Sequence, residues 1–335
     1  MRRGLIVRLV AVALVAAAVA WAVAYFIDWY PVSAAEQADR IDFVFLFVTI
    51  ICIGIFALVA SVIVYAVFQF RAKPDDDSDG PPVHGHTGLE IVWTAVPAVL
   101  VTAIAVVSAV VLAKNDRLPK RHIVVEVTAQ QFAWKFKYPG FGGLESGTLR
   151  LPKGEAVELK LKALDVIHSF WVPEFRQKQD AVPGLTTRVV ITPTRIGTYP
   201  VICTELCGLG HALMRSRAIV MKPDAFEAWG RGQKPTGGSG GGAGKAAFEK
   251  GGCGACHTFK PAGSTGTTGP DLDKLATYAR RAGKPLESFV RESIVNPSAY
   301  VEKGFPNVMP TGFDRTFSKS ELDALVRFLV AGSKQ

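Results

Sequence analysis

The stretch Cys203–Met214 reads C-T-E-L-C-G-L-G-H-A-L-M and decides how the rest of the sequence is interpreted. It carries two thiols, an imidazole and a thioether, on Cys203, Cys207, His211 and Met214. Soft sulfur and imidazole ligands select copper, zinc or an iron–sulfur cluster rather than magnesium or calcium. A mononuclear blue-copper loop needs one Cys, and the second Cys here supplies another thiolate, so that two copper ions can be bridged. The alternative is a Cys203–Cys207 disulfide in an exported loop.

This loop resembles the CuA loop of cytochrome c oxidase subunit II. That family takes a further imidazole from an upstream strand, and His168, in H-S-F-W-V-P-E, stands at that position. The resemblance implies two bridging thiolates, two capping imidazoles, a thioether and a backbone carbonyl around two copper ions. The implied ligands are His168, Cys203, Glu205 (through its carbonyl), Cys207, His211 and Met214. It also implies that the Glu205 carboxylate helps to hold magnesium at the interface with subunit I.

Composition argues against nucleic acid as a partner. The 335-residue chain has a formal net charge of +9, but no basic cluster is interleaved with aromatic residues. A membrane-anchored redox protein explains the charge better. Four of the five cysteines form two ligand-like pairs, which leaves none for a disulfide framework.

Three apolar stretches precede the first sequence of soluble character: Leu5–Ile27, Phe43–Phe68 and Ile91–Ala113. Each exceeds the roughly 20 residues that cross a hydrocarbon core. The last two predict a transmembrane helical hairpin, and the first is either a signal peptide or a retained helix. By the positive-inside rule, the start of the first stretch and the end of the second are expected in the cytoplasm. The basic residues that predict this are Arg2, Arg3, Arg8, Arg71 and Lys73. Everything after Ala113 is then expected on the outer face of a bacterial cell membrane.

Glu90 begins the pattern E-x-x-W-T-x-x-P at the inner edge of the last apolar stretch. In subunit II of the oxidases, the matching Glu lies near the mouth of a proton channel of subunit I. The resemblance therefore implies proton uptake at Glu90. The alternative is a solvated acid at a helix N-terminus, where the helix dipole favours it.

From His122 to Lys222 the pattern changes to short alternating runs divided by Pro and Gly, which predict a β-sandwich. Strands are expected at 123–128, 156–161, 187–191, 198–202 and 216–221. The resemblance makes this sandwich a cupredoxin Greek key. The family often has Q-W-x-W before the second strand, whereas this chain has Phe132 in place of the first Trp and keeps Trp134. Both are candidates for electron transfer, or core residues that alternate on a strand.

A second folded unit follows the linker Gly230–Gly244, a flexible Gly-rich segment that spans about 20–23 Å as a random coil. It opens with Cys253-Gly254-Ala255-Cys256-His257, the C-x-x-C-H signature of covalent c-type haem, in which the His ligates iron. Zinc would need further Cys or His ligands, and the sequence after His257 has neither. A helix at 285–295 and a capping box at 318–321 complete a small α-helical, class I cytochrome c domain.

Met309 is expected to be the sixth ligand of the haem iron, by elimination as well as by resemblance. His257 is the only histidine beyond the linker, and of the four methionines Met1 starts the chain, Met214 is assigned to copper and Met221 ends the sandwich. Pro306 and Pro310 would stiffen the loop around the sulfur. The alternative is that Met309 is core packing, with the iron five-coordinate or ligated by Lys303.

The whole chain resembles subunit II of a haem–copper oxidase with a C-terminal cytochrome c, the caa-type arrangement. The expected divisions are the N-terminal segment 1–40, the hairpin 41–116, the cupredoxin 117–229, the linker 230–244 and the cytochrome c domain 245–335. The resemblance implies electron transfer in the respiratory chain, coupled to proton translocation. Electrons would pass from a cytochrome c or bc-type complex through haem c and CuA to subunit I, which reduces oxygen, with subunit III as a further partner.

Two other classes remain open. One is the CuA-containing subunit of a nitric oxide reductase, whose partner performs different chemistry. The other is a copper carrier or sensor, which the buried dithiolate and the covalent haem disfavour because a carrier must release its metal.

Overall fold

The computed structural model describes residues 3–27, 29–71, 82, 84–232 and 242–333. Arg2 and Lys73, two of the basic residues used to predict the orientation, lie outside these ranges. The chain divides into two compact units. One comprises Met1–Val32 and Asp39–Asn115, and the other comprises Ser33–Ala38 and Asp116–Gln335.

The first unit is helical. Its helices are α1 (Arg3–Phe26), α2 (Glu36–Gln69) and α3 (Thr87–Asn115). Among the described residues, α2 and α3 are long and apolar enough to cross a membrane. Both are apolar on all sides and expose large side chains such as Phe56 and Val99, as helices that face lipid do. The apolar stretch found in α1, Val10–Val23, is shorter, so the choice between a signal peptide and a retained helix stays open.

The second unit begins with a sandwich of two five-stranded sheets, in the orders β3-β2-β1-β5-β8 and β4-β10-β9-β6-β7. Its strands are β1 (Ile123–Gln130), β2 (Ala133–Tyr138), β3 (Leu144–Ser146), β4 (Leu149–Pro152), β5 (Val157–Ala163), β6 (His168–Trp171), β7 (Lys178–Ala181), β8 (Thr187–Ile191), β9 (Gly197–Cys203) and β10 (Arg215–Met221). The five strands predicted from the sequence are all present. Two pairings, β1 with β5 and β4 with β10, are parallel, and the other pairings are antiparallel.

Alternation explains why these segments form a sandwich. In β1 the side chains of Val125, Val127 and Ala129 are fully buried, and the intervening side chains are half-buried. The two inner faces meet in one apolar core that includes Phe136 and Phe170. Such a core provides a stiff support for the loops between β-strands.

The linker is shorter than the sequence predicts. Helix α4 (Pro223–Gly232) continues past Gly230, and helix α5 (Gly242–Lys250) starts before Gly244, so both ends of the predicted coil are helical. The reason is packing. A Cβ at Gly230 would lie 2.3 Å from the Phe141 ring, and one at Gly244 would lie 2.3 Å from Phe328 Cβ. These glycines permit close contacts, and residues 233–241 lie outside the described ranges.

The C-terminal part is a small helical domain around its own apolar core. Its further elements are β11 (Thr258–Phe259), β12 (Ser264–Thr265), α6 (Leu275–Arg281), α7 (Leu286–Val295), α8 (Phe313–Thr316) and α9 (Lys319–Gly332). The predicted helix at 285–295 is confirmed as α7. The predicted capping box is confirmed at the start of α9, where the Ser318 hydroxyl accepts the Glu321 N–H and the Glu321 carboxylate accepts the Ser318 N–H.

Candidate metal centre and haem site

The segment Cys203–Met214, which we call the copper loop, has its two ends joined by main-chain hydrogen bonding. Strand β9 ends at Cys203 and β10 begins at Arg215, directly after Met214. The Cys203 N–H donates to the Met214 carbonyl at 3.2 Å, which extends the β9–β10 pairing into the loop. The loop therefore begins and ends on two adjacent strands, and both ends carry a sulfur atom.

His168 reaches this loop through sheet register. Strand β6 pairs with β9 so that Phe170 lies opposite Cys203, which places His168 two residues along the same sheet. The His168 side chain is fully buried, and its Nδ1 lies 3.9 Å from Cys203 Sγ. Ligand atoms of His168, Cys203 and Cys207 lie within 4.8 Å of one another.

The other predicted ligands surround the two thiols. Cys207 Sγ lies 3.6 Å from His211 Nδ1 and 3.9 Å from Met214 Sδ, and Cys203 Sγ lies 3.3 Å from the Glu205 carbonyl oxygen. The two Sγ atoms are 3.8 Å apart. A disulfide requires about 2.05 Å, so the disulfide alternative does not describe this structure. All six predicted ligand residues meet at one place, and their assignment as ligands stays a prediction.

The donor set fits a cationic centre. Burial opposes ionisation of Cys203, but hydrogen bonds, that from His168 foremost, outweigh it and lower the pKa of this thiol. Burial, and then repulsion by the Cys203 thiolate, raises the pKa of Cys207. One thiol therefore ionises readily, whereas a second thiolate beside it needs added positive charge. Two copper ions would supply that charge, so the residues present fit the dinuclear copper that the sequence implies.

Two residues that sequence reasoning missed support this centre. Asp165 Oδ1 accepts a hydrogen bond from His168 Nε2 at 2.8 Å, and its Oδ2 accepts the Gln131 backbone N–H at 2.7 Å. The Gln131 side-chain amide donates to the Cys207 carbonyl at 2.5 Å. Burial opposes the ionisation of Asp165, but these N–H donors lower the pKa of its carboxyl. The position of Asp165 three residues before His168 was a sequence signal for the contact between them. No local pattern indicated the contact between Gln131 and Cys207.

Phe132 and Trp134 have different positions. Phe132 lies in the two-residue turn between β1 and β2, so the expectation that both alternate on one strand is wrong, because the chain reverses direction at that point. Its ring packs on the copper loop, since a Cβ at Gly210 would lie 2.4 Å from ring atom Cδ2. Trp134 is buried in β2, with its ring centroid 6.2 Å from that of His168.

The C-x-x-C-H segment begins with a single helical turn, Cys253–Ala255. The ring of His257, which follows this turn, is fixed by a hydrogen bond. His257 Nδ1 donates to the Pro270 carbonyl at 2.7 Å, which leaves Nε2 as the free ligating nitrogen. Burial lowers the pKa of His257, so the imidazole is neutral and able to ligate iron. A Cβ at Gly269 would lie 2.5 Å from the His257 ring, so this position has room only for glycine.

An apolar pocket opens beside His257. Its empty space, including the part open to solvent, is about 1470 Å³. Cys253, Cys256, His257 and Met309 all line it, whereas Lys303 is not among its lining residues. The pocket and its thiols therefore fit a covalent haem, with Met309 available as the second axial ligand. Residues of the sandwich line the same pocket, namely Phe132, Ala133, Trp134, Gly147, Leu213, Arg215 and Ser216.

Glu90 lies in the first turn of α3, in the first unit, and is exposed. Its carboxylate accepts the His86 backbone N–H at 3.2 Å, and His86 Nδ1 accepts the Leu89 N–H at 3.2 Å. This is the geometry of a helix N-terminus, and proton uptake at Glu90 stays a prediction. The side chain of Glu205, the proposed magnesium ligand, belongs to an exposed residue of the copper loop.

The sequence matches three family profiles. Residues 18–111 match the transmembrane domain of cytochrome c oxidase subunit II, residues 144–222 match its periplasmic domain, and residues 242–333 match cytochrome c. The cytochrome c oxidase subunit 2 of Alkalihalophilus pseudofirmus is 34% identical over 303 residues, which cover 84% of each chain. That of Thermostichus vulcanus is 35% identical over 255 residues, or 60% of this chain and 77% of the relative.

Solved structures give a lower overall similarity. The periplasmic domain of subunit II of cytochrome oxidase from Bradyrhizobium japonicum is 26% identical and covers 35% of this chain and 96% of its own, with a TM-score of 0.33. The sequence relatives, by contrast, cover most of the chain. The chain belongs to the cytochrome c oxidase subunit II family and carries a C-terminal cytochrome c domain.

Proposed function

We propose that the chain is the electron-transferring subunit of a respiratory cytochrome c oxidase. In this proposal haem c accepts electrons from the donor, and a dinuclear copper centre passes them to subunit I. The single observation that supports this proposal is that the haem pocket and the copper centre share two residues. Phe132 and Trp134 line the pocket beside His257, and both also contact the copper centre, Phe132 through the loop and Trp134 beside His168.

Electrons would pass from haem c to the copper centre through the part of the chain that the two sites share. Haem c and paired copper, when bound, each take up and release single electrons. His257 and Met309 would hold the iron, Cys253 and Cys256 the macrocycle, and the six residues around Cys203 and Cys207 the copper ions. Each site lies on an apolar core, one in the sandwich and one in the cytochrome c domain, which keeps the ligand positions fixed between oxidation states.

The copper loop also supports subunit I as the partner. Leu206 is 78% exposed and Leu209 is 99% exposed, on the same loop as Glu205. Exposed apolar side chains next to a functional centre are typical of a protein interface. On this surface the Glu205 carboxylate would bind magnesium jointly with subunit I. Subunit III and a soluble or bc-type donor complete the proposed complex.

The site of action is the bacterial cell membrane, with α2 and α3 as spans and both redox domains on the outer side. Glu90, at the start of α3, would admit protons from the inner side. In the purified complex, Glu90→Gln should slow oxygen consumption and leave both metal spectra unchanged. Unchanged rates across pH would leave Glu90 with only its helix-terminal role.

Transient kinetics test the route. Haem c in the purified complex is reduced by a rapid photochemical donor, and the copper band is followed. Phe132→Leu should slow electron transfer from haem to copper, since the ring packs on the copper loop, while Phe141→Leu should not. Phe141 is the matched control because it packs on Phe226 and Trp229, away from the pocket. Equal rates in all three proteins would exclude Phe132 from the route.

The nitric oxide reductase alternative receives no support from the relatives, which are named as oxidase subunits. Turnover of the purified complex with oxygen and with nitric oxide separates the two activities. Rapid turnover with nitric oxide and none with oxygen would reverse this conclusion.

A further inference from the structure

The cytochrome c domain touches the sandwich through a main-chain hydrogen bond. The Gly147 N–H, between β3 and β4, donates to the carbonyl of Glu249 in α5 at 2.7 Å. The Gly147 carbonyl accepts the Ser216 hydroxyl at 2.5 Å, so this glycine is also tied to β10. A buried residue of the sandwich is therefore bonded on one side to its own sheet and on the other to the cytochrome c domain.

The same glycine meets a second glycine at van der Waals distance. A Cβ at Gly147 would lie 2.3 Å from Gly252 Cα, 2.9 Å from Gly252 N and 3.0 Å from the Glu249 oxygen. These are backbone atoms, which cannot rotate away as a side chain would. Gly252 has φ +66°, a left-handed conformation suited to glycine, and directly precedes Cys253. The contact is thus one residue from the first haem-attachment cysteine.

A charged residue accompanies the glycine contact. Lys250 Nζ lies 3.7 Å from Glu145 Oε2 on β3 and 2.9 Å from Glu321 Oε1 on α9. One ammonium therefore bridges an acid of the sandwich and an acid of its own domain. These side chains are partly exposed, so we expect them to orient the contact and to make it sensitive to salt, with little added strength.

The contacts of Gly147 and Lys250 bring the haem pocket next to the sandwich. The residues next to the seam, Gly251 to Cys253, line the pocket together with Phe132, Leu213 and Arg215 of the sandwich. We propose that Gly147, Gly252 and Lys250 with its two glutamates form an intramolecular docking seam, which holds the haem pocket against the Phe132 turn. That surface is then occupied by the chain's own cytochrome c domain. An external donor must deliver its electron to the cytochrome c domain rather than to the Phe132 turn.

Zero-length cross-linking of the purified complex tests the seam directly. A carbodiimide condenses a lysine amine with a carboxylate, forming an amide bond with net loss of one water. Among the products that involve Lys250, peptide mapping should recover two, Lys250–Glu145 between the domains and Lys250–Glu321 within one domain. The second product reports that the cytochrome c domain is folded, and it serves as the internal control.

Gly147→Ala should separate the domains, because its Cβ overlaps backbone. We expect a drop on the order of tenfold in the Lys250–Glu145 product, with the Lys250–Glu321 product unchanged. The matched control is Gly140→Ala in the same domain, where a Cβ would meet no atom within 4 Å, and both products should persist. An undiminished Lys250–Glu145 product in Gly147→Ala, or its absence from the unaltered protein, would overturn the seam.

Electron-transfer rates give the independent arm, and only this arm rests on the proposed function. Glu145→Lys leaves every backbone contact in place and puts a positive charge beside both Lys250 and Lys135, so transfer from haem c to copper should slow several-fold, most at low ionic strength. A normal cross-linking pattern with no transfer from haem c to copper would uphold the seam and overturn the proposed route. Unchanged transfer in both Glu145→Lys and Gly147→Ala would overturn the seam.

Discussion

The copper loop and the haem segment are both built from two cysteines and a histidine, but they obtain their remaining groups differently. In the haem segment, Cys253, Cys256 and His257 are within five consecutive residues, and a single helical turn brings them to one pocket wall. In the copper centre, His168 is 35 residues before Cys203 and arrives through the pairing of β6 with β9. One site is mainly local, and the other depends on sheet register.

The chemical surroundings of the two sites also differ, being apolar at the haem segment and polar at the copper loop. Around the haem segment the two cysteines are half-buried in apolar surroundings, and loss of solvation raises the pKa of Cys253 to about 12. Around the copper loop, hydrogen bonds from Asp165 and Gln131 hold His168 and the Cys207 carbonyl in place. The apolar lining of the haem site would limit the access of water to a covalently attached haem. The copper site instead positions groups that bind by coordination alone, and its polar neighbours should matter more.

The largest effect is expected at the copper thiols. Cys203→Ser should abolish the mixed-valence near-infrared absorption and electron delivery to subunit I, because one of the two thiolates that would hold the copper ions is lost. The haem c spectrum should remain, since the two sites have separate ligands. Copper analysis and absorption spectra of the purified complex measure both. Retained near-infrared absorption would show that Cys203 does not bridge the metals.

Met309→Leu comes next and tests the non-local part of the haem site. Leucine preserves volume, so folding should survive, and only the sulfur is removed. We expect loss of the sulfur-to-iron charge-transfer band and a lower haem potential, by on the order of a hundred millivolts within the roughly 0.8 V that axial ligands span. Met221→Leu, at the end of β10, is the matched control. An unchanged band and potential would end the assignment.

Asp165→Ala should have an intermediate effect, confined to copper. Without its carboxylate the His168 imidazole loses the acceptor at Nε2, and loss of such a partner reduces metal affinity roughly 10- to 100-fold. Titration with a copper chelator measures the change, and Asp224→Ala, an acid in the first turn of α4, is the control. Equal copper retention in both variants would mean that His168 needs no carboxylate to orient it.

The smallest effect is expected from Glu321 in the cytochrome c domain. Burial opposes its ionisation, but the Ser318 N–H and the Lys250 ammonium outweigh burial, so the pKa of Glu321 is lowered. A lowered carboxyl pKa stabilises the fold above about pH 4.3, and the contribution is lost as pH falls through the folded pKa. Glu321→Gln keeps a capping-box residue, so Tm at pH 7 should fall by only about 1–4 °C.

The control for that variant is Glu287→Gln, in the first turn of α7. Thermal unfolding followed at the haem absorption band from pH 7 to pH 3 should give converging Tm values for Glu321→Gln and the unaltered protein at low pH. A difference that persists at pH 3 would point to lost packing and not to lost charge.

Local sequence patterns predict the redox groups and account for the helices and strands that carry them. Cys203–Met214 and Cys253–His257 each hold most of the predicted ligands of one site within a few residues, so a linear pattern is enough to predict them. The apolar stretches and the alternating runs likewise predict helices α2 and α3 and the main strands. These features depend on interactions between residues close in the chain, which periodicity and spacing record.

How distant parts of the chain meet is visible in the tertiary structure alone. It placed Asp165 and Gln131 around the copper loop, moved Phe132 into a turn, and converted the outer glycines of the predicted linker into packed helical positions. It also brought Gly147 to Gly252, a contact between residues 105 positions apart that no local signal announces. Such contacts arise because strand register and close packing select which backbone surfaces touch, and that selection depends on the whole fold rather than on any single stretch.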